Sequence, residues 1–335
     1  MAQAIKPIFE LAGRRIFVAG HHGMVGAALC RRLASEACDI VVAPREAVDL
    51  RRQSAAEEWL AAARPDAIFL AAARVGGIHA NDSRPAEFLY DNLMIQANVI
   101  EAARRLGVAK LMALGSSCIY PKFAPQPIRE EALLSSELEA TNQWYAIAKI
   151  AGLKLCQAYR RQYGSRFIGV MPTNLYGPGD NFDPLSSHVL PALLRKIHVG
   201  KESGTKAVSV WGSGAPRREF MHVDDLADAC VFIMKHYDQE EPLNIGTGDD
   251  ISIADLARLI AEIVGYDGRF EFDASKPDGT ARKLLDVTRL NRLGWHPTIE
   301  LPQGIRSTYA WYLDNRRSAR VRGESVHAPQ DSAAD

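Results

Sequence analysis

Tyr145 and Lys149 stand four residues apart in "NQWYAIAKIAGLKLC", whose apolar spacing predicts a helix, so both side chains face the same way. A phenol near its free pKa of about 10 is a poor proton shuttle at neutral pH, and an ammonium beside it favours the phenolate and lowers that value. Such a pair could move a proton to or from an oxygen. A second candidate group is "LGSSCIYPK" at 114–122, where an apolar run ends in a glycine and is followed by two hydroxyls and a thiol. If the backbone stays extended, Ser116 and Cys118 project from the same side. Any amphipathic helix can carry a Tyr and a Lys at this spacing, and a free cysteine is most often a small buried hydrophobe. The surrounding elements decide between these readings.

Short apolar runs alternate with amphipathic stretches through the first half of the chain. "RIFVA" (15–19), "IVVA" (40–43), "AIFLAAA" (67–73), "KLMAL" (110–114) and "FIGVM" (167–171) predict strands buried on both faces of a parallel sheet. Helical stretches at 25–36, 85–106 and 141–163 lie between them, which implies a doubly wound α/β fold. After residue 172 the rhythm breaks at "PTNLYGPGDNFDP", and a helix is expected at 188–199, a strand at "AVSVWG" and a helix at 223–237. The expected organisation is a Rossmann domain over 1–175 with a returning segment near 217–245. A smaller mixed α/β substrate-binding domain takes 176–216 and 246–315, and 316–335 reads as a disordered tail.

The first strand runs directly into "GHHGMVG", a glycine turn opening a helix. Gly20 permits the tight turn, Gly23 lets the backbone approach a pyrophosphate, and Gly26 lets helix and strand pack closely. The helix N-terminus, with His22, Met24 and Val25 around it, then faces the phosphates of a dinucleotide. The second strand ends "VVAPRE", with Arg45 where an NAD-selective protein carries an acid; an arginine there can pair with a 2′-phosphate and favours NADP(H). Asp49 and Leu50 are placed to flank the adenine.

With "GSS" at a strand end and the Tyr–Lys spacing, this chain resembles the short-chain dehydrogenase/reductase superfamily in its extended, sugar-nucleotide branch. The longer blocks "LAAARVGGIHAN", "MPTNLYGPGDNF", "SSHVLPALLRK", "WGSGAPRREFMHVDD", "NIGTG" and "FDASKPDGTARKLLDVTRL" resemble the GDP-L-fucose synthase family over roughly 13–315. That resemblance implies 3,5-epimerisation of GDP-4-keto-6-deoxy-D-mannose followed by NADPH-dependent reduction of its 4-ketone, in a cytoplasmic homodimer. It implies that Ser116 binds the ketone oxygen, Tyr145 transfers the proton there, Lys149 holds the nicotinamide ribose, and Cys118 and His188 exchange protons with carbon. It places Leu114, Gly115, Ser117, Pro172, Asn174, Leu175 and His188 around the cofactor as well. Asn174, Lys196, Trp211, Arg218, Asp278 and Lys283 would contact substrate, with Arg217 left in solvent. Two positions depart from the family pattern. Lys196 stands where an arginine is usual and keeps the charge without the fork, and His22 stands where relatives often have arginine, leaving 2′-phosphate recognition to Arg45.

Composition narrows the partners further. Lys plus Arg (40) equal Asp plus Glu (40), which gives no electrostatic case for nucleic acid or a membrane surface. No apolar run approaches the ~18 residues of a membrane span. "MAQAIKPIFELAGRR" lacks a secretory core, and five dispersed cysteines with no C-x-x-C pair point to a reducing cytosol without a zinc site. Two other enzyme classes share the fold. A nucleotide-sugar 4,6-dehydratase would carry an acid–base pair after the hydroxyl, which "SSCIY" lacks, and a 4-epimerase would not use a cysteine–histidine pair. A dinucleotide-sensing scaffold would have lost Tyr145 or Lys149.

Overall fold

The computed structural model describes residues 6–184, 186–276 and 278–317. The expected strands form as β1 (Arg15–Ala19), β2 (Asp39–Val42), β3 (Ala67–Leu70), β4 (Lys110–Leu114) and β5 (Phe167–Pro172). Shorter strands follow: β6 (Asn174–Tyr176), β7 (Ala207–Trp211), β8 (Arg217–Arg218), β9 (Phe220–His222), β10 (Leu243–Ile245), β11 (Ile251–Ser252), β12 (Arg269–Asp273) and β13 (Arg282–Lys283). The helices are α1 (Met24–Leu33), α2 (Gln53–Ala63), α3 (Ile78–Ser83), α4 (Pro85–Arg105), α5 (Gln143–Tyr163), α6 (Val189–Glu202), α7 (Val223–His236), α8 (Ile253–Val264), α9 (Thr288–Arg292) and α10 (Leu301–Asn315).

Six strands pair in the order β10-β5-β4-β3-β1-β2, all parallel. Strand order reverses between β1 and β3, so the crevice at their carboxyl ends is where this fold accepts a dinucleotide. Nearly every residue of β1, β3, β4 and β5 is buried, which is why these strands read as continuous apolar runs. One apolar cluster packs α1 and α7 on one face, and another packs α4 and α5 on the opposite face. A third cluster joins Tyr176, Phe182, α6, α8 and α10 away from the sheet. Leu290 and Trp295, distant in sequence from the sheet strands, pack into the first cluster.

Three expectations change at element ends. The run "AIFLAAA" leaves the sheet after Leu70, because Ala71 and Ala72 turn to pack on Gly20 at the switch point. The segment after β4 does not stay extended: Ser116 does (φ −167°, ψ 151°), but Ser117–Ile119 form one 3₁₀ turn. Arg316 is ordered, closing α10 and donating to Glu202 at 2.8 Å, whereas the rest of the expected tail, from 318, lies outside the described residues.

Lys110 is fully buried in β4, yet its ammonium donates to the carbonyls of Met234 (2.7 Å) and Tyr237 (2.6 Å). It ties the sheet to the end of α7, where helix carbonyls lack partners and favour a cation.

Candidate active site

The 3₁₀ turn after β4 gathers the chemistry. Ser116 Oγ accepts the Cys118 N–H at 3.2 Å, which caps the turn and curls the thiol back over the hydroxyl. From α5, Lys149 reaches under the turn and donates to the Leu114 carbonyl at 2.8 Å. Lys149 is buried, and burial lowers its pKa to about 8. Its Nζ lies 5.9 Å from the centre of the Tyr145 ring. The expected depression of the phenol by that lysine is not what the structure gives. Burial dominates at Tyr145 and raises its pKa above the ordinary range, the charge of Cys118 adds to the rise, and hydrogen bonding with Ser116 works against it. The phenol therefore starts protonated, which suits an acid that must deliver a proton.

Cys118 has the opposite balance. Burial opposes its ionisation, but the Lys283 ammonium at 3.4 Å, the Ser116 hydroxyl and the charge of Arg218 together outweigh it, and the thiol sits below its ordinary value of 9.0. His188 is the N-cap of α6 but makes no side-chain capping bond, so its ring is left for other work. The residue is exposed, while the protein around it desolvates the imidazolium and, with the Lys283 charge, lowers its pKa. The loop before it is shaped by Asn181, which donates to Ser186 Oγ (2.9 Å), and by Asp183, which accepts the Ser186 N–H (2.9 Å). Gly77 donates to the Ser186 carbonyl at 3.0 Å, and a Cβ there would meet the Ser187 oxygen at 2.7 Å, so only glycine allows this approach.

The glycine turn has the shape a pyrophosphate needs. Gly20 lies at φ +89°, and a Cβ on it would stand 2.8 Å from Ala72. Any Cβ on Gly26 would enter the Gly20 backbone, and Gly23 caps α1 with no side chain over its free N–H groups. Met24 and Val25 open the helix against the core, and the first turn carries no acid. His21 Nδ1 in this turn is buried without a partner among the described residues, while the exposed His22 ring lies 3.9 Å from the His21 ring. Arg45 is exposed beyond β2, and among the described residues no carboxylate pairs with it. Asp49 accepts from Arg51 (2.9 Å), and Leu50 packs toward the core. These features fit a phosphorylated dinucleotide: a Cβ-free cradle, a helix N-terminus, an orphaned ring nitrogen and a cation beyond β2.

The remaining expected residues line the neighbouring strands. Gly115 donates to Val170 (2.8 Å) and Ser117 is buried beneath the turn. Pro172 ends β5 beside Ile245, Leu175 packs on the first cluster, and Asn174 Nδ2 donates to the Glu219 carbonyl at 2.8 Å. Trp211 is 57% exposed, with the ammonium groups of Lys196 and Lys276 at 5.2 and 5.5 Å from its ring centre. Asp278 accepts from Ser213 N (2.6 Å) and Oγ (2.8 Å), which fixes the loop beside Arg218. Arg217 is exposed but not merely solvated, since it pairs with Asp250 at 2.6 Å.

Comparison with known proteins then places the chain. Residues 16–246 match the NAD dependent epimerase/dehydratase family. The chain belongs to that family. Within it, this member is 56% identical over 309 residues to the GDP-L-fucose synthase of Sinorhizobium fredii, covering 92% of this chain and 98% of the relative. The GDP-L-fucose synthase of Escherichia coli is 52% identical over 323 residues, with 93% and 100% covered. A solved GDP-L-fucose synthetase from Naegleria fowleri bound to NADP superposes with a TM-score of 0.86 at 30% identity, covering 95% of this chain and 99% of that one.

In this epimerase/dehydratase family member, two supporting residues escaped the sequence reading. Glu219 is fully buried and its carboxylate accepts the N–H groups of Thr247 (2.6 Å), Gly248 (2.8 Å) and Leu285 (3.0 Å), joining the ends of β10 and β13. Strand alternation in "RREF" would have hinted at it, since Glu219 must face opposite to Arg218. Gln96 is buried between α4 and α5 and donates to the Ala148 carbonyl at 2.9 Å, one residue before Lys149. Nothing in its local sequence marks it.

Proposed function

We propose that this chain is a GDP-L-fucose synthase, which converts GDP-4-keto-6-deoxy-D-mannose to GDP-L-fucose by 3,5-epimerisation and NADPH-dependent reduction of the 4-ketone. The observation that carries the reading is the Cys118 thiol, held against a cation beside the Tyr145 phenol, in a chain 52–56% identical to enzymes of that name.

The ketone makes the protons on C3 and C5 acidic, because the electron pair left by either proton spreads onto the oxygen as an enolate. Cys118 and His188 serve as the pair that removes a proton from one face and returns one to the other, and thiol and imidazole both exchange protons near neutral pH. Ser116 steadies the oxygen. NADPH, when bound, supplies the hydride for C4. Tyr145, protonated in its buried setting, gives its proton to the oxygen there, and Lys149 contributes positive charge from its anchor on Leu114. Gly20, His22, Gly23, Met24, Val25, Gly26, Arg45, Asp49, Leu50, Leu114, Gly115, Ser117, Pro172, Asn174 and Leu175 hold the cofactor. Lys196, Trp211, Arg218 and Asp278 receive the guanosine diphosphate, Arg218 as the bidentate phosphate grip.

Residues 1–175 with the returning 217–245 segment serve the cofactor in this reading, and 176–216 with 246–315 serve the sugar nucleotide. Two copies pair through α4 and α5, a reading supported by the exposed Tyr90, Trp144, Ile147 and Tyr163 on those helices. The enzyme works in the cytoplasm, where its five free thiols stay reduced. No helix among the described residues is long and apolar enough to cross a membrane.

Incubation with NADPH and GDP-4-keto-6-deoxymannose in D₂O tests the assignment. Deuterium enters C3 and C5 as NADPH is consumed; reduction without exchange removes the bifunctional reading.

A further inference from the structure

Lys283 is expected among the substrate contacts, yet its ammonium is directed at the Cys118 sulfur, 3.4 Å away. We propose that Lys283 acts through Cys118, as the charge partner that holds its sulfur as thiolate for proton transfer at carbon. This rests on the acid–base reading of Cys118 and assigns Lys283 a task beyond binding phosphate.

The strand pairing explains why the cation is there. β13 runs parallel to β8, with Arg282 opposite Arg217 and Lys283 opposite Arg218. Alternation sends the two pairs to opposite sides. Arg217 and Arg282 turn outward and share the carboxylate of Asp250. Lys283 and Arg218 turn inward toward the thiol. Glu219 fixes this register from beneath by accepting the Leu285 N–H, two residues beyond Lys283. Among the described residues no carboxylate forms an ion pair with Lys283, so the sulfur is the group positioned to answer its charge.

The groups facing Cys118 come from four elements. Lys283 on β13 and Arg218 on β8 favour the thiolate, as does Ser116 at the end of β4. Tyr145 on α5 is discouraged from ionising by the sulfur's charge, and the Lys283 charge also reaches His188 at the start of α6. In the step itself, the C–H bond next to the ketone breaks and an S–H bond forms, while the electron pair moves onto the ketone oxygen. Protonated His188 then gives its proton to the opposite face as the enolate collapses. Solvent takes the thiol proton and reprotonates the imidazole before the second carbon reacts.

The test measures iodoacetamide alkylation of the Cys118 peptide against pH, by mass spectrometry, in the full-length protein. The expected result is a midpoint raised by about one pH unit in Lys283→Met and in Lys283→Gln, and restored toward wild type in Lys283→Arg. At neutral pH, C3/C5 exchange falls by up to about ten-fold in the neutral variants, the lost thiolate being partly offset by the imidazolium that His188 regains without the Lys283 charge. A raised KM for the sugar nucleotide with an unmoved midpoint overturns the role of Lys283, leaving it a phosphate contact. Full-rate exchange in Cys118→Ser instead overturns the acid–base reading itself, whatever the midpoint does.

Discussion

Lys149 donates from α5 to the carbonyl of Leu114 at 2.8 Å, which fastens the helix carrying Tyr145 to the end of the strand carrying Ser116. The lysine thus sets the distance between the two oxygen-handling groups, while burial, not the lysine, controls the phenol. With its pKa raised, Tyr145 holds its proton at neutral pH until an oxygen more basic than the phenolate appears beside it. A C4 alkoxide formed by hydride delivery is such an oxygen.

Removing that proton donor separates the two half-reactions. In Tyr145→Phe, kcat for reduction falls about a thousand-fold, the range of a lost general acid, while deuterium exchange at C3 and C5 stays within about three-fold. NADPH absorbance and NMR of the recovered sugar nucleotide read the two rates. Equal loss of both would place the phenol in the proton transfers at carbon.

Arg45 is exposed beyond β2 with no carboxylate partner among the described residues, and the glycine turn carries His22 instead of a second guanidinium. A single charge-assisted contact contributes about 1.5–3 kcal/mol, so Arg45→Ala raises KM for NADPH by about ten- to a hundred-fold. KM for NADH changes little. Steady-state kinetics with each cofactor check this, and a parallel rise in both would show that Arg45 supports the loop and not the 2′-phosphate.

Much of this arrangement was legible in the sequence because it rests on local order. The parallel strands follow from apolar runs bounded by Gly and charge, and the glycine turn follows from spacing directly after β1. Tyr145 and Lys149 share a helix face by periodicity alone. The thiol's setting was not legible, since Ser117–Ile119 curl into a 3₁₀ turn and Lys283 arrives from 165 positions further along the chain. Glu219 was hidden for a related reason: its partners lie on two other segments, Leu285 brought near by the β8–β13 pairing and Thr247 and Gly248 lying between β10, which pairs with β5, and β11, which pairs with β8. Lys110 is a third case. A lysine at the start of an apolar run reads as a boundary, yet the fold buries it.

That buried lysine gives a stability prediction outside the site. Burial lowers the Lys110 pKa to about 8 from 10.5, so between these values the unfolded chain binds more protons than the folded one. Its contribution therefore makes stability rise with pH across that window. Lys110→Met leaves the Met234 and Tyr237 carbonyls without their donor and destabilises the protein by about 2 kcal/mol at pH 7. The denaturant midpoint falls, and the rise between pH 8 and 10.5 flattens. A variant as stable as wild type at pH 7 would mean that relief of lysine burial outweighs the lost hydrogen bonds.

Proton exchange at carbon needs Cys118 and His188 in opposite protonation states, so its rate is bell-shaped in pH. The bell is bounded by the two pKa values whichever group acts first. His188 is lowered from 6.5 by the protein atoms that desolvate its imidazolium and by Lys283, which sets the acid limb below 6.5. Cys118 is lowered from 9.0, because the Lys283 ammonium, the Ser116 hydroxyl and Arg218 together outweigh burial, which sets the alkaline limb below 9.0. Tyr145 is raised above 10.0 and keeps its proton where the thiol has lost its own, so reduction is weakened there only by the lost charge of Lys149, whose pKa burial lowers to about 8. Between pH 9.0 and 10.0, deuterium incorporation should therefore keep falling about ten-fold per pH unit, while reduction of an already epimerised ketone levels at the rate Tyr145 supports without the Lys149 charge. Initial rates of both across that window test the difference. Reduction falling as steeply as exchange would mean that the phenol ionises together with the thiol.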